Sequence, residues 1–222
     1  MLPPSTIDEL FSRATLISGR TLGWLADQQS VPVPAEPRRA KGWMGQRMEA
    51  ALGATAGSAA MPDFPHLHVE LKTLPVDARG KPLESTYVCT APLDGTLGID
   101  WASSWVRAKL AQVLFVPVIG ERGSALGDRV IGSPLLWRPN PEEEAMLRSD
   151  WEELARTLSL GEVHEVDARR GKALQLRPKA RDSSTMTWTL DTEGEWIQTN
   201  PVGFYLRPSF TSAILARAFL FR

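Results

Sequence analysis

The stretch DFPHLHVELKT, residues 63–73, constrains the fold of this chain more than any other. Its residues alternate as in a half-buried β-strand, which puts Val69 and Leu71 toward a core and His68, Glu70 and Lys72 on the opposite face, same-face neighbours lying about 7 Å apart. A strand from His68 to Leu74 is therefore expected to hold a carboxylate and an ammonium side by side, with Asp63 in the loop just upstream. On a solvated sheet such a pair is an ordinary ion pair that contributes little. With Asp63 folded back beside Glu70, the two carboxylates repel unless a cation lies between them, and hard oxygen ligands select Mg²⁺. A lysine beside such a metal can orient or deprotonate the attacking water, or stabilise charge that builds on phosphorus. Phosphodiester hydrolysis requires this set.

The rest of the chain supplies a mixed α/β frame. Ser5 or Thr6, with Asp8 and Glu9, opens a helix through about Ser18 that Gly19 closes, and a shorter helix follows from Thr21. SVPVPAEPRR is a proline-rich connection, and the next helix is expected from Lys41 to Leu52 with Glu49 in its last two turns. Strands are expected at Thr86 to Ala91 and Val113 to Ile119, with a turn at DARGKP. A helix from Ser103 to Ala111 carries Arg107 and Lys109, and VIGSPLLW reads as a strand. The longest helix is expected from Glu142 to Leu160, stopped by Gly161. Two more strands, Ala173 to Lys179 and Gly203 to Leu206, precede an amphipathic helix from Ser209. The order lacks the regular alternation of βαβ units, so the expected class is α/β of the α+β kind, a mixed sheet flanked by helices. At 222 residues and 43% hydrophobic content, one core, or one core cleft into two lobes, is affordable.

The net charge of −1 hides an uneven distribution. RRGKALQLRPKAR holds six cations and no acid, PRRAKGWMGQR holds four more, and PNPEEEAMLRSDWEEL gathers acids. Most such runs are solvated faces; the basic ones also suit nucleic acid. No apolar run approaches the roughly 20 residues that cross a bilayer, and the N-terminus lacks a signal-peptide pattern, so a cytoplasmic protein without membrane contact is expected. The single Cys89, in STYVCTAP, reads as a buried, inert thiol.

The spacing D-x6-E-x-K of Asp63, Glu70 and Lys72 is similar to that of the restriction-endonuclease-like nucleases. KGWMGQRMEAALGATAGS, DFPHLHVELKTLPVDARGKPLESTYVCTAPL, IGSPLLW, DWEEL, LQLRPKA and GFYLRPSFTSAILARAFL together resemble the MutH family, the strand-nicking endonucleases of methyl-directed mismatch repair, from about Thr6 to the C-terminus. The resemblance implies a two-lobed clamp around a DNA cleft, within one nuclease domain spanning residues 1–222. The N-terminal lobe would be catalytic and the C-terminal lobe would recognise DNA. It implies that Asp63 and Glu70 bind Mg²⁺ with the Leu71 carbonyl, that Lys72 serves the attacking water, and that Glu49 and Lys109 support the site. By the same implication Arg177 reads a base of double-stranded GATC with Pro178 beside it, and Lys41 and Tyr205 contribute site specificity and methylation sensing. Tyr87, where a phenylalanine is common, joins the DNA contacts. MutL is the implied activator, loaded by mismatch-bound MutS, and a single catalytic domain argues for a monomer.

His66 and His68 depart from the family pattern, and an H-x-H pair beside two carboxylates offers zinc as an alternative metal. RDSSTMTWTLDTEGEWIQTN matches the family poorly and has no structural assignment. The rivals are a restriction-type enzyme that cuts both strands at GATC and a non-catalytic GATC-binding module. A module freed from catalysis has no need of Asp63, Glu70 and Lys72 together.

Overall fold

The computed structural model describes residues 1–35, 42–57, 59, 61–98, 100–121, 123–165, 168–179 and 184–220. In chain order the helices are α1 (Ile7–Leu16), α2 (Leu22–Gln28), α3 (Trp43–Leu52), α4 (Trp105–Leu110), α5 (Pro141–Ser159) and α6 (Pro208–Leu220). The strands are β1 (Glu70–Val76), β2 (Thr86–Thr90), β3 (Val113–Ile119), β4 (Val130–Ile131), β5 (Leu135–Trp137), β6 (Leu174–Pro178), β7 (Thr187–Leu190), β8 (Trp196–Thr199) and β9 (Val202–Leu206). They fall into two compact units, one of Met1–Glu84, Ala111–Arg138 and Ser212–Arg222, the other of Ser85–Leu110 and Pro139–Thr211.

The first unit is built on a four-stranded mixed sheet in which β3 pairs with β1 in parallel and with β4 and β5 antiparallel. The run VLFVPV of β3 is buried residue by residue, as expected of a strand covered on both faces. One face, with Leu71, Leu114, Val116 and Val118, packs on Leu10 of α1, Leu22 and Leu25 of α2 and Met48 of α3. Thr6 and Thr21 cap α1 and α2 by accepting the amide hydrogens of Glu9 and Trp24. Helix α3 ends at Gly53 in the left-handed region (φ 80°), where a Cβ would stand 2.7 Å from the Leu2 carbonyl oxygen.

The second unit carries the antiparallel sheet β2-β9-β6 and the hairpin β7-β8. Val88, Leu174, Leu176, Phe204 and Leu206 are buried, while Arg177 and Thr90 are exposed on the alternate positions. Helix α5 opens with Asn140 and Glu143 in a reciprocal capping box and Pro141 in the first turn. Its Asp150, buried at 5% exposure, accepts the amide hydrogens of Lys172, Ala173 and Leu174 through Oδ2, at 2.8, 2.5 and 2.8 Å. That carboxylate fixes the entry into β6.

Several expectations need correction. Strand β1 starts at Glu70 and not at His68, because Pro65–Leu67 form a 3-10 turn that closes at His68 in the left-handed region (φ 53°). His68 therefore does not belong to the Glu70 and Lys72 face. VIGSPLLW is two strands, β4 and β5, separated where the Gly132 amide donates to the Pro117 carbonyl at 2.8 Å. The expected start of α4 at Ser103 lies in a 3-10 turn, and the helix begins after Ser104, whose hydroxyl accepts from the Arg107 amide at 3.1 Å. The unassigned segment contains the hairpin β7-β8. Lys41, expected to open α3, lies outside the described residues.

Candidate functional site

Glu70 and Lys72 point to the sheet face opposite the helical core. In register with them on β3 are Val113 and Phe115, and these in turn oppose Trp137 and Leu135 of β5. The charged pair thus sits among apolar side chains. Lys72 Nζ lies 2.6 Å from Glu70 Oε1, and the two side chains are 13% and 3% exposed. Burial of this kind weakens the solvated-face reading of the pair, because a desolvated ion pair gains little net stability over an apolar one.

Asp63 joins them through the backbone. The Glu70 amide donates inward to the Gln112 carbonyl at 3.0 Å, so by strand alternation the Leu71 amide and carbonyl point to the outer edge of β1, the terminal strand of its sheet. There the Leu71 amide donates to Asp63 Oδ2 at 2.8 Å. The hydrogen bond holds the Asp63 carboxylate along the edge that carries the Leu71 carbonyl, one residue from Glu70. Two mutual amide–carbonyl bonds between Phe64 and Val69, at 2.9 and 3.3 Å, close the loop that brings Asp63 back.

Asp63, Glu70 and the Leu71 carbonyl offer oxygen donors only, the chemistry that suits a hard divalent cation such as Mg²⁺. Zinc has less support, since His66 Nε2 lies 2.6 Å from the Pro4 carbonyl and His68 is exposed on its turn. Among the described residues no three His, Cys, Asp or Glu side chains are arranged to hold a metal ion. Glu49 is half-buried on α3, which packs against β1, and its side chain runs back toward Gly45. Lys109 is half-buried on α4 and belongs to the second unit.

The second unit gathers Tyr87, Arg177 and Tyr205 on one sheet face. Pairing sets Tyr87 opposite Tyr205, Gln175 opposite Tyr205, and Arg177 opposite Gly203. A bulge between Tyr87 and Cys89 brings Thr90 opposite Gly203, so that Tyr87 and Thr90 share this face although three residues apart. The tyrosine rings meet edge to face at 5.3 Å. Arg177 lies 6.0 Å from the Tyr205 ring and Lys179 4.7 Å from the Tyr87 ring. Lys179 Nζ donates to Thr90 Oγ1 at 2.6 Å, and the Tyr87 hydroxyl lies 2.8 Å from the same oxygen. A Cβ on Gly203 would stand 3.1 Å from Tyr87 Cε2 and 3.3 Å from Tyr205 Cε2, so glycine is what lets both rings lie down on the sheet. Pro178 follows at the exposed end of β6. Cations held over aromatic rings on an open face suit phosphates and base edges.

Residues 52–150 match the family model described as DNA mismatch repair enzyme MutH. The chain is 54% identical over 217 residues to the DNA mismatch repair protein MutH of Serratia proteamaculans, covering 98% of this chain and 95% of that one. It is 52% identical over 218 residues to the proteins of the same name from Photorhabdus laumondii and Shewanella amazonensis, covering 98% of this chain and 96% and 97% of theirs. The chain belongs to the MutH family. The family-model match contains Asp63, Glu70, Leu71, Lys72, Tyr87 and Lys109, and the alignments with MutH proteins run over nearly the whole chain, beyond Arg177, Pro178 and Tyr205.

Sequence reasoning missed Ser85, Gln175, Thr90 and Lys179 on this sheet face. Lys179 shows in the sequence only as one charge in a basic run; Gln175 and Thr90 reach the face through strand pairing, and Ser85, just before β2, through the bonds it accepts from Gln175 and Arg177. Cys89, expected to be buried, is half-buried.

Proposed function

We propose that this chain nicks the unmethylated strand 5′ to the G of hemimethylated GATC by Mg²⁺-dependent phosphodiester hydrolysis. MutL activates it, MutS acts through MutL, and it works as a cytoplasmic monomer. The observation that carries the reading is the cluster on β1: Asp63 tied to the Leu71 amide, next to a buried Glu70–Lys72 pair on an apolar sheet face.

Asp63, Glu70 and the Leu71 carbonyl would hold Mg²⁺, with Glu49 supporting the site from α3 and Lys109 from α4. When bound, the ion supplies Lewis-acid polarisation of the phosphodiester and acidifies water. Lys72, kept in place by Glu70, directs its ammonium at the reacting phosphate, where it orients the attacking water and offsets negative charge as phosphorus becomes five-coordinate. The apolar neighbours Val113 and Phe115 exclude bulk water from that ammonium and strengthen its field.

Recognition falls to the β2-β9-β6 face. A bidentate contact from Arg177 to guanine contributes about 1–3 kcal/mol of discrimination, with Pro178, Tyr87 and Lys41 adding contacts. An N6-methyl group removes a donor hydrogen and adds bulk, and a ring such as Tyr205 beside the adenine would reject it. The fold is read as restriction-endonuclease-like, a clamp with a catalytic N-terminal lobe and a recognising C-terminal lobe.

The test is Mg²⁺-dependent cleavage of circular duplexes with one GATC site, unmethylated, hemimethylated or fully methylated, with Glu70→Ala as control. Nicking confined to the unmethylated strand, stimulated by MutL and lost in the control, is expected. Linear product from paired cuts would replace this reading by the restriction-type one, and binding without cleavage under all conditions would leave a GATC-binding module.

A further inference from the structure

Arg177 does not stand alone on its sheet face. Its Nη1 donates to Ser85 Oγ at 3.1 Å. The same oxygen receives Gln175 Nε2 at 2.6 Å, and Gln175 is only 5% exposed. Behind Gln175 stands Arg207, whose Nη1 donates to Gln175 Oε1 at 3.4 Å, to the Ala168 carbonyl at 2.7 Å and to the Arg170 carbonyl at 3.2 Å. Because an arginine can only donate, Arg207 fixes the amide so that its oxygen faces Arg207 and its NH₂ group faces Ser85. Ser85 Oγ then accepts from two groups that cannot themselves accept from it through those atoms. Arg207, anchored on two main-chain carbonyls, thus holds Gln175, and the donations of Gln175 and of the exposed Arg177 guanidinium converge on Ser85 Oγ.

We infer that Ser85 and Gln175 are positioning residues for base reading: they pre-set the Arg177 guanidinium, between Ser85 and the Tyr205 ring, in the orientation that meets the base. The inference rests on the reading of Arg177 as the base-contacting residue and names what makes it selective. An exposed arginine free to sample its rotamers must be ordered on binding, at the expense of affinity. One held in the free protein loses less on contact with the correct base and cannot swing to suit a wrong one. Tyr205 limits the guanidinium from the ring side, 6.0 Å away, and Ser85 from the strand β2 side.

The experiment measures equilibrium binding of the full chain, with EDTA present, to a duplex containing GATC and to the same duplex with the G replaced. Ser85→Ala, Gln175→Leu, Ser85→Thr and Arg177→Ala are compared, with thermal midpoints as a folding check. Ser85→Ala is expected to lower the ratio of the two affinities about tenfold while the affinity for the altered duplex moves less than about twofold. Ser85→Thr, which keeps the hydroxyl, is expected to restore most of the ratio. Gln175→Leu is expected to fall in the same direction, and Ser85→Ala added to Arg177→Ala to cause no further loss, since the residues act through one group. Equal weakening toward both duplexes, or failure of threonine to rescue, would mean a purely structural role. If Arg177→Ala abolishes the discrimination and Ser85→Ala leaves it intact, the inference falls and the base-reading assignment stands. If Arg177→Ala leaves the discrimination intact, both fall.

Discussion

Glu70 and Lys72 are the residues for which stability and chemistry make opposite demands. On their face of the first sheet Val113, Phe115, Leu135 and Trp137 stand in register beside them, and the Lys72 and Glu70 side chains are only 13% and 3% exposed. Replacing a buried ion pair by apolar side chains of similar volume is often neutral or stabilising by about 1–4 kcal/mol, whereas removing one partner is destabilising by about 3–5 kcal/mol. The double variant Glu70→Leu/Lys72→Met is therefore expected to unfold in urea at the parental midpoint or above it, and to have no nicking activity. Lys72→Ala alone should lower the midpoint. A double variant less stable than the parent by 3 kcal/mol or more, on the scale of breaking such a pair, would make the pair structural. The spacing of the pair was legible in the sequence because a strand repeats every two residues. Its burial was not, because the covering residues come from β3 and β5, some 40 to 65 positions further on.

At the scale of elements, helix α5 and strand β6 are joined by one carboxylate. Asp150 Oδ2 accepts three consecutive amides at the turn into β6, and a Cβ on Gly171 would stand 3.3 Å from the Asp150 Cγ. Deleting a buried acceptor leaves its donors unpaired, at about 1–3 kcal/mol for each desolvated group. Asp150→Ala is expected to destabilise the protein by about 3 kcal/mol or more, read as a drop in the urea midpoint. A change below 1 kcal/mol would mean that water replaces the carboxylate. The motif DWEEL showed this acid in the sequence but only as part of an acidic run; that it faces inward follows from the helix packing on β6. Elements with strong local signals were legible, as with β3 at Val113–Ile119 and with α5. Hairpin β7-β8 was not, since Trp188 and Trp196 are exposed and the strands show no apolar-in, polar-out alternation. Its turn is held instead by Asp191 Oδ1, which accepts the amides of Glu193 and Glu195 at 2.9 Å each.

The whole molecule is a MutH-family repair endonuclease whose charge is nearly balanced at neutral pH, and acid upsets that balance in both units at once. In the first unit the Glu9 carboxyl is pushed down to about 2, chiefly by the Ser5 amide, then by the Ser5 hydroxyl and by Arg13. In the second, Asp94 is lowered by the Thr96 hydroxyl and amide, and Asp100 by the Ala102 amide and the Ser103 hydroxyl. A carboxyl lowered by folding contributes stability that is fully present above its unfolded value, about 4.3 for glutamate and 3.9 for aspartate, and is lost as pH falls through the folded value. Below that range 25 Lys and Arg and 3 His face no ionised carboxylate, and self-repulsion adds to the loss. The thermal midpoint is expected to be flat above about pH 5 and to decline toward pH 2. Glu9→Gln isolates one contribution: its midpoint should lie below the parent's above about pH 4.3 and approach it toward pH 2, where the parental Glu9 itself takes up its proton. Parallel curves over the whole range would mean that the unfolded chain keeps Glu9 beside Ser5 and Arg13, four residues away on either side, so that folding does not change its proton affinity.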